Sequence, residues 1–258
     1  MAEADGQAGR DSSALDLVAV TCRFGGITAV SEVDIQVPVG ARHGIIGPNG
    51  AGKTTLFNVI SGEVKPTGGR IKLFGRDITR KSPPARVAVG LGRTYQITRT
   101  FNTLTVRENL TLGTHGLLGS KFSMLRPWRS YADRGREVED LAERFRLGDR
   151  LDSPASDLSH GEIRQLEVAL ALALKPRLLL LDEPGAGLSP GERISMRNVL
   201  RRLPEDLTLV MIEHDMDLVR DVVNRVTVLH FGRVVAEGLS AEIQNHPQVR
   251  EIYLGSRT

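Results

Sequence analysis

From Leu15 the run LDLVAVTC, and after it Val33, Ile35 and Val37 spaced by polar residues, carry the period of two expected of half-buried strands. Pro38-Val39-Gly40 reads as a turn and Gly44-Ile45-Ile46 as a short buried strand that feeds a glycine-rich loop. Thr54 to Ile60 then reads as a helix, Pro66-Thr67-Gly68-Gly69 as a turn, and Arg70 to Phe74 as another alternating strand. The period changes in the middle third. Thr105-x-x-Glu108 is a capping-box pattern, and Val138, Leu141, Ala142 and Phe145 fall at i, i+3, i+4 and i+7, so residues 98–157 are expected to be mainly helical. Beyond them come a helix from about Gly161 to Leu174, an apolar strand Leu178 to Leu181, a helix from about Pro190 to Arg202 and a strand Thr208 to Ile212. A helix with Leu218, Val219, Val222 and Val223 on one side follows, then a hairpin around Phe231-Gly232-Arg233 and a short helix with Pro247 in its first turn and Gly255 just past its end. Uninterrupted apolar strands alternating with helices predict an α/β fold with a mostly parallel core sheet covered on both faces, joined to an N-terminal antiparallel β region and a helical insert.

Composition narrows the class without changing this outline. The chain has 258 residues, 40% of them hydrophobic and 25% charged, which excludes disordered, collagen-like and disulfide-framework classes. Its longest apolar run, Val168 to Leu174, stops at Lys175-Pro176, far short of the roughly 18 residues of a membrane helix. A formal net charge of +3, dispersed along the chain, is too mild to argue for nucleic acid. The single Cys22 can form no internal disulfide and the opening MAEADGQAGRDSSA has no apolar core of a secretory signal, so a reducing, cytoplasmic setting is expected. Residues 1–14 are expected to be a frayed tail, and 15–258 one domain whose helical part spans about 98–175.

The chemistry concentrates in GPNGAGKTT, Gly47 to Thr55, which fits G-x-x-x-x-G-K-[ST] between a strand and a helix. Gly47, Asn49, Gly50, Ala51 and Gly52 are expected to turn backbone N–H groups toward phosphate oxygens. The positive end of the following helix adds to that field, Lys53 reaches the terminal phosphates, and the Thr54 hydroxyl, beside Thr55, offers a ligand to Mg²⁺. Leu178 to Leu181 ends in Asp182-Glu183, which puts two carboxylates at the carboxyl edge of the sheet, where open α/β folds bind ligands. Asp182 is expected to hold Mg²⁺ and Glu183 to act as general base on the attacking water.

These segments, taken with Gln96, LSHGE (Leu158 to Glu162), AGLS (Ala186 to Ser189) and His214, resemble in order and spacing the ATP-binding subunits of ABC transporters, over residues 15 to 255. RFGGITAVSEVDIQV, RTYQITRTFNTLTVRENL and the closing IYLG resemble in particular the ATPase subunits of branched-chain amino-acid importers. The resemblance implies an ATPase with ATP and Mg²⁺ as cofactors. It implies that Gln96 senses the metal and nucleotide, that His214 contacts the γ-phosphate, that Phe24 stacks on adenine unless it is a core residue, and that Ser189 lies where two subunits touch. The family signature LSGGQ stands here as LSHGE: Ser159 and Gly161 are retained, while His160 and Glu162 replace a glycine and a glutamine. Ser159, Gly161 and Glu162 are thereby implied to face the γ-phosphate held by an opposite subunit.

The implied partners are a second ATPase subunit, identical or paralogous, two transmembrane permease subunits and, indirectly, an extracytoplasmic binding protein, with no nucleic acid; the implied place is the cytoplasmic face of the inner membrane. Phe101, Phe122, Trp128 and Tyr131, with Arg126, Arg129, Arg134 and Arg136, either dock the permease or pack the insert's own core beneath a solvated face. Two alternatives stay open at this point: an importer of urea or short amides, and a soluble ABC-type ATPase without a transport role. A P-loop GTPase would leave the signature segment unexplained, and the chain carries no Asn-Lys-x-Asp motif.

Overall fold

The computed structural model describes residues 13–94, 100–115 and 135–254. Two sheets organise them. Strands β1 (Ser13–Phe24), β2 (Ile27–Pro38), β4 (Gly68–Leu73) and β5 (Arg76–Asp77) form an antiparallel sheet in the order β2-β1-β4-β5. Strands β3 (Arg42–Ile46), β6 (Leu91–Arg93), β7 (Leu178–Asp182), β8 (Thr208–Ile212), β9 (Arg225–His230) and β10 (Arg233–Leu239) form the second, in the order β10-β9-β3-β8-β7-β6. Every pair of this sheet is parallel except the β9–β10 hairpin.

The parallel sheet is buried on both faces, which is why its strands read as unbroken apolar runs. In β7, Leu178 and Leu180 pack with Ile45, Val210, Ile212 and the antiparallel sheet, whereas Leu179 and Leu181 face Leu209, Met211, Val226 and Val228. Helix α1 (Lys53–Ser61) lies in the first layer through Leu56, Phe57, Val59 and Ile60. Its last carbonyls, those of Val59 and Ile60, accept from the buried guanidinium of Arg86 at 2.7 and 2.6 Å, a cation at the negative end of the helix. Arg86 belongs to α2 (Pro83–Val87), which, like β5 and β6, is too short to announce itself by periodicity. The second layer holds α3 (Val106–His115), α4 (Gly135–Arg144), α5 (His160–Ala173), α6 (Pro190–Arg201), α7 (Met216–Val222) and α8 (Pro247–Leu254).

The expected helices and core strands fall within one to three residues of those observed, whereas β2 begins at Ile27, six residues before the alternating Val33, Ile35 and Val37 that announce it. The Thr105 capping box forms as predicted: Glu108 N–H donates to Thr105 Oγ1 at 3.1 Å and Thr105 N–H to Glu108 Oε2 at 2.8 Å. Val138, Ala142 and Phe145 are buried on the inner face of α4 and its end. One boundary needs correction. Ser13 and Ala14, read as part of the tail, are the buried start of β1; Ser13 pairs with Pro38 and its hydroxyl bonds Asp16 Oδ1 at 2.7 Å. A partner strand supplied the order that local polarity argued against. Residues 1–12, Gln96, Phe122, Arg126, Trp128, Arg129, Tyr131, Arg134 and Gly255 lie outside the described residues.

Candidate functional site

Strands β3, β7 and β8 are parallel neighbours, so their carboxyl ends open on one edge, and the chain after each delivers a polar segment there. After β3 comes the loop Gly47–Gly52. Gly52 has φ +99°, and a Cβ on it would strike the carbonyl oxygen of Ala29, so the loop can lie against β2 only with glycine there. That approach sets the β1–β2 hairpin beside the loop, with Phe24 at its tip, paired with Ile27 and half exposed. No side chain caps α1, whereas α5, α6 and α7 are capped by Ser159, Ser189 and Asp215. The first amides of α1 thus keep their donors for an anion.

Lys53 is buried, and its Nζ donates to the carbonyls of Gly47 at 2.7 Å and Pro48 at 3.0 Å, which folds the ammonium under the loop. Burial pulls its pKa down, while Glu183 and Asp182 act in the opposite direction and place the lysine in the field of both carboxylates. Thr54 is exposed at the first turn and Thr55 is half-buried.

Asp182 closes β7 with its side chain only 1% exposed. One carboxylate oxygen, Oδ2, is 3.2 Å from Arg93 Nη2; the other, Oδ1, is buried and has no hydrogen-bond partner. Burial raises the Asp182 pKa against the lowering effect of Arg93. An orphaned carboxylate oxygen is the atom a divalent cation would satisfy. A carboxylate, the Thr54 hydroxyl and phosphate oxygens are a hard, all-oxygen donor set of the kind Mg²⁺ takes together with its nucleotide. The residues therefore fit Mg²⁺. Among the described residues no group of three or more His, Cys, Asp or Glu side chains could hold a metal without the nucleotide.

Glu183 follows with φ +47°, a left-handed conformation that costs a non-glycine residue about 1 kcal/mol or more. It is held there by its N–H to Ile212 O at 3.0 Å and by Ala186 N–H to its own carbonyl at 3.0 Å. His214, exposed after β8, has Nδ1 3.9 Å from Glu183 Oε1 and 3.7 Å from Glu213 Oε2, beyond hydrogen-bond reach of either but facing both.

The segments expected on the opposite subunit's phosphate have their polar partners elsewhere. No hydrogen bond or ion pair among the described residues joins Ser159, Gly161 or Glu162 to the loop, Asp182 or Glu183. Ser159 and Glu162 form a capping box, with Ser159 N–H to Glu162 Oε2 at 2.7 Å and Glu162 N–H to Ser159 Oγ at 3.2 Å. Arg150 Nε holds the other Glu162 oxygen at 2.9 Å. Burial raises the Glu162 pKa, but these bonds outweigh it and the carboxyl sits below its ordinary range. The glutamate that replaces glutamine is thus bound to its own helix end and to an arginine. His160 lies over Gly187, where a Cβ would come within 3.0 Å of Nε2.

Three further residues build the site: Glu213 and Arg93 carry no sequence motif of their own, and Glu192 completes the capping-box pattern Ser189-x-x-Glu192. Glu213 is fully buried; its Oε1 accepts from Gly185 N–H at 2.7 Å and its Oε2 from His214 N–H at 2.9 Å and Asp215 N–H at 3.2 Å, so it ties the loop after β7 to the loop after β8. Glu192 caps α6 through Ser189 and also accepts from Gly161 N–H at 2.9 Å, joining the starts of α5 and α6. Arg93 stands three residues before Gln96 in the RTYQ run, and only the fold brings it to Asp182.

Residues 30–186 match the family model described as ABC transporter, and residues 233–257 the one described as Branched-chain amino acid ATP-binding cassette transporter. The chain is 36% identical over 249 residues to the high-affinity branched-chain amino acid transport ATP-binding protein BraF of Pseudomonas aeruginosa, covering 93% of this chain and 97% of that one. It is 38% identical over 240 residues to LivG of Escherichia coli, a protein of the same description, covering 90% and 94%. Among solved structures, an ATP-binding cassette of an ABC transporter in its ADP conformation superposes with a TM-score of 0.82 at 31% identity, covering 94% of this chain and 99% of that one. A nucleotide-free cassette from an ABC transporter superposes with a TM-score of 0.80 at 30% identity, covering 93% and 98%.

Proposed function

The chain belongs to the ABC transporter family of ATP-binding proteins, and from that premise we propose that it hydrolyses ATP to energise an importer of branched-chain or related amino acids. The observation that carries the reaction is the meeting, on one sheet edge, of a phosphate loop with a buried lysine and a carboxylate pair faced by a histidine. The match of residues 233–257 to the branched-chain model favours that cargo class over urea or short amides.

In this reading the amides of Gly47–Gly52 and of the first turn of α1 bind the β- and γ-phosphates, and Lys53 leaves its two carbonyl partners for the terminal phosphates. Phe24 receives the adenine ring on the exposed tip of its hairpin. Mg²⁺, when bound, neutralises charge on the β- and γ-phosphates; Thr54 and Asp182 would hold it, with Gln96 as the third expected ligand. Glu183 orients a water in line with the γ-phosphorus and accepts its proton as the new O–P bond forms and the bond to the β-phosphate breaks, which yields ADP and phosphate. His214 steadies the charge on the γ-phosphoryl oxygens.

Ser159, Gly161 and Glu162 bond to one another, to Arg150 and to Glu192, and in this reading a whole site takes its signature segment from a second ATPase subunit, a copy or a paralogue. We assign the chain as one ATPase domain with its helical part over about 98–175, bound at the cytoplasmic face of the membrane to two permease subunits that an extracytoplasmic binding protein serves. Among the described residues no helix is long and apolar enough to cross a membrane.

Glu183→Gln tests the chemistry. It is expected to bind MgATP as the unaltered chain does, to lose about 10²–10⁴-fold in turnover, and to accumulate as an ATP-bound dimer on size exclusion. Normal turnover by this variant would remove Glu183 from its role, and equal use of GTP would undo the assignment to adenine nucleotides.

A further inference from the structure

Two candidate Mg²⁺ ligands come from different elements: Thr54 from the first turn of α1 and Asp182 from the end of β7. Their separation is fixed by neither element alone. One guanidinium bridges the two. Arg93, the last residue of β6, has its side chain 7% exposed and is paired in register with Leu180 of β7. Its Nη2 donates to Asn58 Oδ1 at 2.8 Å and to Asp182 Oδ2 at 3.2 Å, while its Nη1 donates to Ser61 Oγ at 2.6 Å and Glu63 Oε2 at 3.2 Å.

Asn58 and Ser61 are i+4 and i+7 from Thr54, so all three lie on one face of α1. The planar fork therefore grips the metal-bearing face of the helix with one edge and the metal-bearing carboxylate with the same edge's nitrogen. By holding Oδ2 it fixes the plane of the carboxylate and so the direction of Oδ1, the oxygen left without a partner. We propose that Arg93 is a positioning residue for the divalent cation: it sets the register between Thr54 on α1 and Asp182 on β7, and the protein's demand for Mg²⁺ in nucleotide binding depends on it. The inference rests on the ATPase reading above.

A merely structural Arg93 would support the phosphate loop whether or not metal is present, and this separates the two roles. Binding of a non-hydrolysable ATP analogue is measured by equilibrium dialysis, first in EDTA and then over a Mg²⁺ series, for the full chain and for Arg93→Lys, which keeps the charge and loses the fork. The expected result is affinity in EDTA within about twofold of the unaltered chain, and a Mg²⁺ concentration for half-maximal enhancement raised about tenfold, the scale of losing an outer-shell partner of a metal ligand. Asn58→Ala, which removes the α1 anchor of the nitrogen that also holds Asp182 and leaves the one at Ser61, changes no charge; it is expected to shift the Mg²⁺ demand in the same direction and serves where Arg93→Lys does not fold. An equal loss of affinity with and without metal, or an unchanged Mg²⁺ demand in either folded variant, overturns the assignment. If the unaltered chain takes no analogue under either condition, the ATPase reading falls and this inference with it.

Discussion

At the scale of single residues, burial of a titratable group shows in its response to pH. His43, in β3 a few residues before the phosphate loop, is fully buried with Nε2 2.8 Å from Thr227 Oγ1. Burial pushes its pKa from 6.5 down to about 4, against the attraction of Glu237 and with the repulsion of Arg225. A histidine with a depressed folded pKa binds fewer protons when folded than when unfolded. Stability therefore falls with pH through the window between 6.5 and about 4. The expected loss is roughly 2 kcal/mol from about pH 7 to about pH 5, read from urea unfolding, and His43→Gln should flatten that part of the pH dependence. An unchanged slope in the variant would place the proton uptake elsewhere. Cys22, by contrast, needs no partner: it is a buried thiol whose pKa burial raises, and it behaves as a small apolar residue of β1.

At the scale of elements, helix starts divide by use. The starts of α5 and α6 are closed by reciprocal boxes, Ser159 with Glu162 and Ser189 with Glu192, and a spare oxygen of Glu192 reaches across to Gly161 N–H. Gln165 Nε2 to Ser195 Oγ at 2.9 Å adds a second rung between the same helices. The signature helix and the helix after the carboxylate loop are therefore coupled where they begin. Glu192→Ala leaves the Ser189 cap on the residue 192 amide but removes the reciprocal half of the α6 box and the bond to Gly161, and is expected to cost about 1–2 kcal/mol in urea unfolding. Ser189→Ala should cost a similar amount, and the double variant less than the sum, because the two residues form one box. Additive costs would show that the cross-bond and not the box holds this corner. The start of α1 differs from both in having no side-chain cap, which leaves its first amides as donors for the proposed phosphate site.

At the scale of the molecule, one chain holds one phosphate loop, one carboxylate pair and one signature segment, and among the described residues no hydrogen bond or ion pair joins the last to the first two. The working unit of two ATPase subunits proposed above has a kinetic signature. For the chain on its own, the initial rate of ATP hydrolysis is expected to rise with about the square of protein concentration when dilute, and linearly once pairing saturates, since only the paired state completes the site. A specific activity that stays constant on dilution would show that a single chain suffices.

Much of this protein is legible along the chain because its strongest signals are local. The loop Gly47–Thr55, the carboxylates at the end of an apolar run and the Thr105-x-x-Glu108 capping box are each written in fewer than ten consecutive residues, and the long helices and core strands announce themselves by period. Phe24, His214 and the signature segment stand out by likeness to a family, and no spacing rule alone singles them out. What only the tertiary structure decided is which distant polar groups share a burial site. Arg93 meets Asp182 across 89 positions, Glu213 meets Gly185 across 28, Glu192 meets Gly161 across 31, and Ser13 becomes a strand residue because Pro38 lies opposite. The physical reason is common to all four. A local pattern fixes how a segment can fold, but the cost of burying a charge or a backbone amide is met only by a partner, and partners are brought together by the packing of whole elements.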